Sequence, residues 1–199
     1  MVQGQLNRGS KLGEIIYNLA KQIDVKTILD IGCFNGMGST KCILDGVLSK
    51  KEKTFVYSLE CNKLRLEEAK INLGFLPPNF KLIHGTIIDA SELEPMMETL
   101  KNDTLKGWLK EDLNWLKITP NVFDQLPEKI DLCIIDGGEF SGNLEFNKLW
   151  KRCKYIILDD INALKHIETK KFILSKPNVF KVIEDNVRDR NGYLLCQVN

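Results

Sequence analysis

The chain of 199 residues has no long apolar run; its apolar stretches are a few residues each, too short to span a bilayer. Met1 to Leu12 lacks the apolar core of a secretion signal, so a cytoplasmic protein is expected. Charge of one sign is also missing: 28 Lys and Arg face 27 Asp and Glu, for a net charge of +1. No domain-wide positive field is available to hold nucleic acid, and neither nucleic acid nor a membrane is an expected partner. None of the six cysteines (Cys33, Cys42, Cys61, Cys133, Cys153, Cys196) forms a C-x-x-C pair, which argues against a zinc knuckle or a thioredoxin-type site. Cys133 and Cys196 sit in strand-like apolar runs and read as small buried hydrophobes. Repeats, low-complexity tracts and Gly/Ser linkers are absent. What remains, 43% hydrophobic and 28% charged, is an ordinary globular composition at the length of one domain.

Short apolar runs alternate with helical periodicity along this chain. Leu12, Ile15, Ile16, Leu19, Ala20 and Ile23 mark one helical face, with Ser10 as its N-cap. Strands are predicted at 27–31, 55–59, 80–83, 130–135, 155–158, 179–183 and 193–198. Helices are predicted at 37–48, 62–73, 144–152 and 161–174. The link between the last two strands, Asp185–Gly192, is too short for a crossover helix, so these two pair antiparallel. The pattern predicts an α/β fold: a Rossmann-like, seven-stranded, mostly parallel sheet with an antiparallel last strand and helices on both faces. The whole chain, 1–199, reads as one domain. A helical insertion at about 90–120, rich in Leu, Met and Trp, exceeds what one crossover needs. It serves either as extra packing or as a lid, a substrate wall or an oligomer contact.

In such sheets ligands bind beyond the carboxyl ends of the strands, and there the polar motifs fall. The first strand runs into Asp30-Ile-Gly-Cys-Phe-Asn-Gly-Met-Gly38. Its glycine spacing is neither the G-x-G-x-x-G of a dinucleotide site nor a P-loop. Asp30, just before the first glycine, suits a ligand carrying an ammonium group. Glu60 ends the second strand, where a carboxylate can accept both hydroxyls of a ribose. His84-Gly85-Thr86 follows the third strand, where an adenine edge would sit; His84 by itself reads as a structural histidine. Asp136-Gly-Gly-Glu139-Phe140 follows the fourth strand and Asp159-Asp160-Ile-Asn162 the fifth. Three carboxylates on one rim suit Mg²⁺; alternatively Asp136 orients a cofactor and Asp160 caps the next helix.

These five motifs, in this order, resemble a class I S-adenosylmethionine-dependent methyltransferase over Ser10 to Val198. They are most similar to the small O-methyltransferases with an I-D-G-[DG]-H-x-Y signature, the catechol-type and macrolide-sugar enzymes among them. The resemblance implies S-adenosylmethionine as cofactor, held by Asp30, Gly32, Cys33, Phe34, Asn35, Gly36, Glu60, Cys61, Gly85, Thr86 and Asp136. It implies a metal, Mg²⁺, on Asp136, Asp159 and Asp160. Glu139 stands where the signature has a histidine or lysine, Phe140 replaces its aromatic hydroxyl, and Arg152-Cys-Lys154 replaces the usual proline-glycine turn.

The resulting expectation is methyl transfer to a small hydroxylated acceptor such as a sugar. Asp136 lies beside the reacting centre, and Glu139 or His166 takes the acceptor's proton. His166 also reads as a solvated helix residue. Two other readings stand beside this one: a nicotinamide oxidoreductase on the same topology, and a non-catalytic partner module that keeps the fold. The hydrophobic insertion also raises a homo-oligomer as an expectation.

Overall fold

The computed structural model describes residues 6–199; residues 1–5, which open the stretch read for a secretion signal, lie outside the described residues. Seven strands form one sheet: β1 (Thr27–Ile31), β2 (Phe55–Glu60), β3 (Phe80–His84), β4 (Ile130–Ile135), β5 (Cys153–Asp159), β6 (Phe180–Asn186) and β7 (Tyr193–Val198). Their order is β3-β2-β1-β4-β5-β7-β6. β1 to β5 pair in parallel, and β7 runs antiparallel to both β5 and β6. Only the last strand is therefore reversed, as the short 185–192 link requires. The order turns back between β1 and β4, which places the crevice at their carboxyl ends.

The central strands are apolar on both faces because helices cover both. Successive residues serve opposite cores: Ile28, Leu132 and Ile134 pack with α1 (Lys11–Ala20) and α2 (Ser39–Leu48), while Leu29, Cys133 and Ile135 pack toward α6 (Asp103–Ile118) and α7 (Gly142–Leu149). Ser10 caps α1 by accepting from the Gly13 N–H at 3.1 Å. Asn62 caps α3 (Lys63–Leu73) from just outside it. The insertion folds as three helices, α4 (Ala90–Leu93), α5 (Met96–Thr99) and α6, because Pro95 and the Asn102 cap break it. α6 buries Leu109, Leu113 and Leu116 and leaves Trp108 half exposed. All six cysteines are free thiols, buried except for half-buried Cys61.

Two helix starts differ from the sequence expectation. α2 begins at Ser39, not Met37, since the glycine turn continues through Gly38. α8 spans only Ile167–Leu174. The preceding segment pairs with the β6–β7 turn instead: Ile161 N–H donates to Gly192 O and Asn162 N–H to Asn191 O, both at 3.1 Å. Asp160, at φ +56°, turns the chain away from helical geometry. This non-helical segment directs Lys165 and His166 inward, where both are buried.

Candidate active site

The loop after β1 is held from below. Asp30 is fully buried, and its carboxylate accepts from the hydroxyls of Ser39 (2.8 Å), Thr40 (2.7 Å) and Ser58 (2.7 Å). Burial pushes its carboxyl up and the three hydroxyls pull it back. Asp30 is thus not aimed at a ligand ammonium; it ties α2 to β1 and β2, a correction to the sequence expectation. Gly32 adopts φ +88°, and a Cβ there would lie 2.1 Å from the Asp136 carbonyl oxygen. The loop and the end of β4 can touch only because that position is glycine. Gly36 answers a packing need too: at φ +82°, its Cβ would meet Leu73 of α3 at 2.9 Å.

A cavity of about 330 Å³ opens beside this loop, large enough for a small cofactor. One wall carries Gly32, Phe34, Glu60, Cys61, Gly85 and Thr86. Glu60 is 8% exposed; its Oε2 accepts from Phe34 N–H at 2.7 Å and its Oε1 from Asn62 N–H at 2.9 Å. Two backbone donors therefore fix the carboxylate at the cavity wall, while burial pushes its carboxyl up. Thr86 spends its hydroxyl locally on the Ile88 N–H and carbonyl, both at 3.2 Å. His84 Nε2 lies 3.0 Å from the Cys61 carbonyl, the structural role expected for it. A second cavity shares Gly32, Phe34 and Asp136 and adds Cys33, Asn35 and Arg190.

The first cavity is also lined by Trp115 on α6, part of the insertion, and by two carboxylates the sequence reading missed: Asp112 on α6 and Glu145 on α7. A Cβ on Gly137 would sit 2.7 Å from both Glu145 carboxylate oxygens, and one on Gly138 would sit 2.9 Å from Asp112 Oδ2. The Gly-Gly step after Asp136 thus lets two helices bring carboxylates over the end of β4. Burial pushes Glu145 up to about 7, and its Oε2 has no hydrogen-bond partner among the described residues. Asp112 is pushed up to about 6 by burial, then by the charges of Glu111 and Glu139. The available signal for Glu145 was its place on the apolar face of α7 with Phe146 and Leu149, where a charge is costly.

Glu139 and His166 are not on the cavity walls. Glu139 Oε1 accepts from Leu164 N–H at 3.0 Å. His166 is neither solvated nor helical. It is fully buried just before α8, with Nε2 3.2 Å from the Ile135 carbonyl. Burial first, and then the Lys165 charge, lower it to about 4, so it is neutral at physiological pH. Its Nδ1 is buried without a hydrogen-bond partner among the described residues. Its position corrects the expectation of a solvated or proton-accepting histidine.

Asp136, Asp159 and Asp160 do converge: one carboxylate oxygen from each lies within 4.8 Å of the others. Two cations of the chain itself are already among them. Lys165 Nζ, on a side chain 4% exposed, lies 2.7 Å from Asp136 Oδ1 and 3.1 Å from Asp160 Oδ2. Arg190 lies 3.0 Å from Asp159 Oδ2 and 4.0 Å from Asp160 Oδ1. Burial would lower the Lys165 ammonium, but Asp136 and Asp160 outweigh it and hold the group above its ordinary value. Mg²⁺ takes oxygens at about 2.0–2.1 Å in an octahedron. An ion between Asp136 and Asp160 would claim the volume that Nζ fills, so these residues as arranged do not fit a divalent metal.

No protein-family model matches the chain, and no curated protein matches it. Solved structures do. A Staphylococcus aureus protein described as a caffeoyl-CoA O-methyltransferase superposes with TM-score 0.63 at 16% identity, covering 94% of this chain and 83% of its own. The Bacillus cereus O-methyltransferase in complex with SAH gives 0.62 at 17%, covering 94% and 80%. A cofactor-bound protein from MTB gives 0.61 at 17%, covering 98% and 84%. Likeness at this identity establishes a shared fold, the Rossmann-like sheet of these methyltransferases. Among the described residues, no helix is long and apolar enough to cross a membrane.

Proposed function

We propose that the chain is an S-adenosylmethionine-dependent methyltransferase acting on a small hydroxylated acceptor. The observation that carries this reading is Glu60. Its carboxylate is clamped by the Phe34 and Asn62 N–H groups on the wall of the cavity at the β1/β4 crevice. Oε2 keeps a further lone pair, while Oε1 also receives the Cys61 thiol in a long contact of 3.8 Å, so the fixed group can accept from one ribose hydroxyl directly and from its neighbour by displacing that weak donor. The glycine loop beside it has no diphosphate cradle, which favours an adenosyl ligand over a dinucleotide. The SAH complex of the Bacillus cereus structure supports the same choice.

S-adenosylmethionine supplies a methyl group already activated by a sulfonium. The chain needs to orient the acceptor and accept its proton. Asp112 and Glu145 face the cavity from α6 and α7 and accept hydrogen bonds from acceptor hydroxyls; their charge repels anionic acceptors. Glu145, pushed up to about 7, is matched to general-base work near neutral pH. Asp136 stands at the mouth between the two cavities. No step is assigned to a metal.

Thermal unfolding with S-adenosylhomocysteine, S-adenosylmethionine and NAD tests the reading. A ligand at 100 times its dissociation constant adds about 2.7 kcal/mol, a shift on the order of 5–10 °C at this size. Both adenosyl ligands should shift the wild type, and Glu60→Ala should remove most of the shift. A shift with NAD alone would establish the oxidoreductase reading instead. Adenosyl binding without turnover on any of a panel of sugars and phenols would favour a non-catalytic module.

A further inference from the structure

The three strand-end acids lie where a divalent cation would be sought, yet the chain supplies their counter-charge itself. Two cations arrive from separate loops. Lys165 comes from the non-helical segment after β5, and Arg190, at φ +52°, from the β6–β7 turn. The Lys165 ammonium has three hydrogens and three acceptors near it: Asp136 Oδ1, Asp160 Oδ2 and, at 3.4 Å, the Gly137 carbonyl. Asp159 is committed as well, through Oδ1 to the Asp160 N–H at 2.9 Å and through Oδ2 to Arg190. Each of the three acids therefore already has a carboxylate oxygen paired with a cation of the chain.

We infer that Lys165 is a built-in replacement for a divalent cation: its buried ammonium fills the position between Asp136 and Asp160, and the chain binds no metal there while Lys165 is present. A compact ammonium can take this place because it is a point charge with rotatable donors. It carries half the charge of Mg²⁺, and Arg190 provides the rest. Lys165 is thus a positioning residue. It sets the Asp136 carboxylate at the mouth of both cavities and, with its donors consumed, does not hold an acceptor oxygen. The inference concerns the charge balance of this cluster alone and is independent of the methyl-transfer reading.

Removal of Lys165 should then create a metal site, which no purely structural role would do. Mn²⁺ added to the wild-type chain should keep its full free-ion electron paramagnetic resonance signal. Lys165→Ala and Lys165→Met should each consume about one Mn²⁺ per chain. Adding Asp160→Asn to either variant should restore the free-ion signal. Mn²⁺ should also raise the melting temperature of the Lys165 variants and leave the wild type unshifted. Stoichiometric Mn²⁺ uptake by the wild type, abolished by Asp160→Asn, would overturn the inference. A folded Lys165→Ala or Lys165→Met that takes up no more Mn²⁺ than the wild type would overturn it as well. If neither variant folds, the wild-type and Asp160→Asn titrations decide it by themselves.

Discussion

Glu145→Gln should raise the melting temperature by several degrees at pH 8 and by only about a quarter as much at pH 5. Burial lifts the folded-state value of Glu145 to about 7 from an ordinary 4.5. Between those values the unfolded chain releases its proton while the folded chain keeps it, so stability falls as pH rises. The loss is absent below about 4.5 and complete above about 7. At about 1.36 kcal/mol per pH unit, the whole gap corresponds to roughly 3 kcal/mol. Glu145 is only 5% exposed, so solvent screening discounts this little. Glutamine keeps the shape and cannot ionise. Asp112 and Asp159, pushed up to about 6 and about 7, have the same sign, so part of the wild-type decline with pH persists in the variant. Equal melting-temperature changes at pH 5 and pH 8 would show that Glu145 does not titrate in this range. The same substitution should abolish the limb near pH 7 in the rate of methyl transfer. A residue kept at that thermodynamic cost is expected where function needs it.

The sheet was legible because its signals are local. TILDI and IDLCII are apolar on both faces, and their ends coincide with β1 and β4 as predicted. The placement of Glu60, Gly85 and Thr86 on a cavity wall was legible for a related reason: in a parallel sheet the residues at the end of each strand have a fixed address. Roles within the site were less so. Asp30 stands at the motif position, yet Ser39, Thr40 and Ser58 take up its carboxylate, and that convergence crosses two strands and a helix. The error at 161–166 had a specific cause. Its composition is helical, but pairing with Asn191 and Gly192 outweighs propensity, and those partners lie about 30 residues away along the chain. Reading that segment as helix makes His166 a solvated residue and draws no attention to Lys165, so the counter-charge of the acids stays hidden. Asp112 and Glu145 were hidden differently: each sits on an amphipathic helix whose orientation toward β4 depends on two glycines elsewhere.

Asp136→Ala should destabilise the fold by about 3 kcal/mol, and Lys165→Met introduced with it should restore much of that loss. Removing one partner of a buried pair leaves an uncompensated charge and costs about 3–5 kcal/mol, whereas replacing both with apolar groups is often neutral. The lower end applies here because Asp160 stays 3.1 Å from the ammonium and the Asp136 side chain is 24% exposed. At this chain length the single substitution should lower the melting temperature by on the order of 6–12 °C. Lys165→Met alone should also destabilise, since Asp136 and Asp160 then repel each other at close range. The double variant should be more stable than the sum of the two losses predicts, and the difference measures the coupling of the pair. Methyl transfer should disappear with Asp136→Ala and stay absent in the double variant, because recovered stability does not return a carboxylate to the cavity mouth. If the two losses simply add, the ion pair does not govern the position of Lys165, and the packing of 161–166 against the β6–β7 turn must hold it instead.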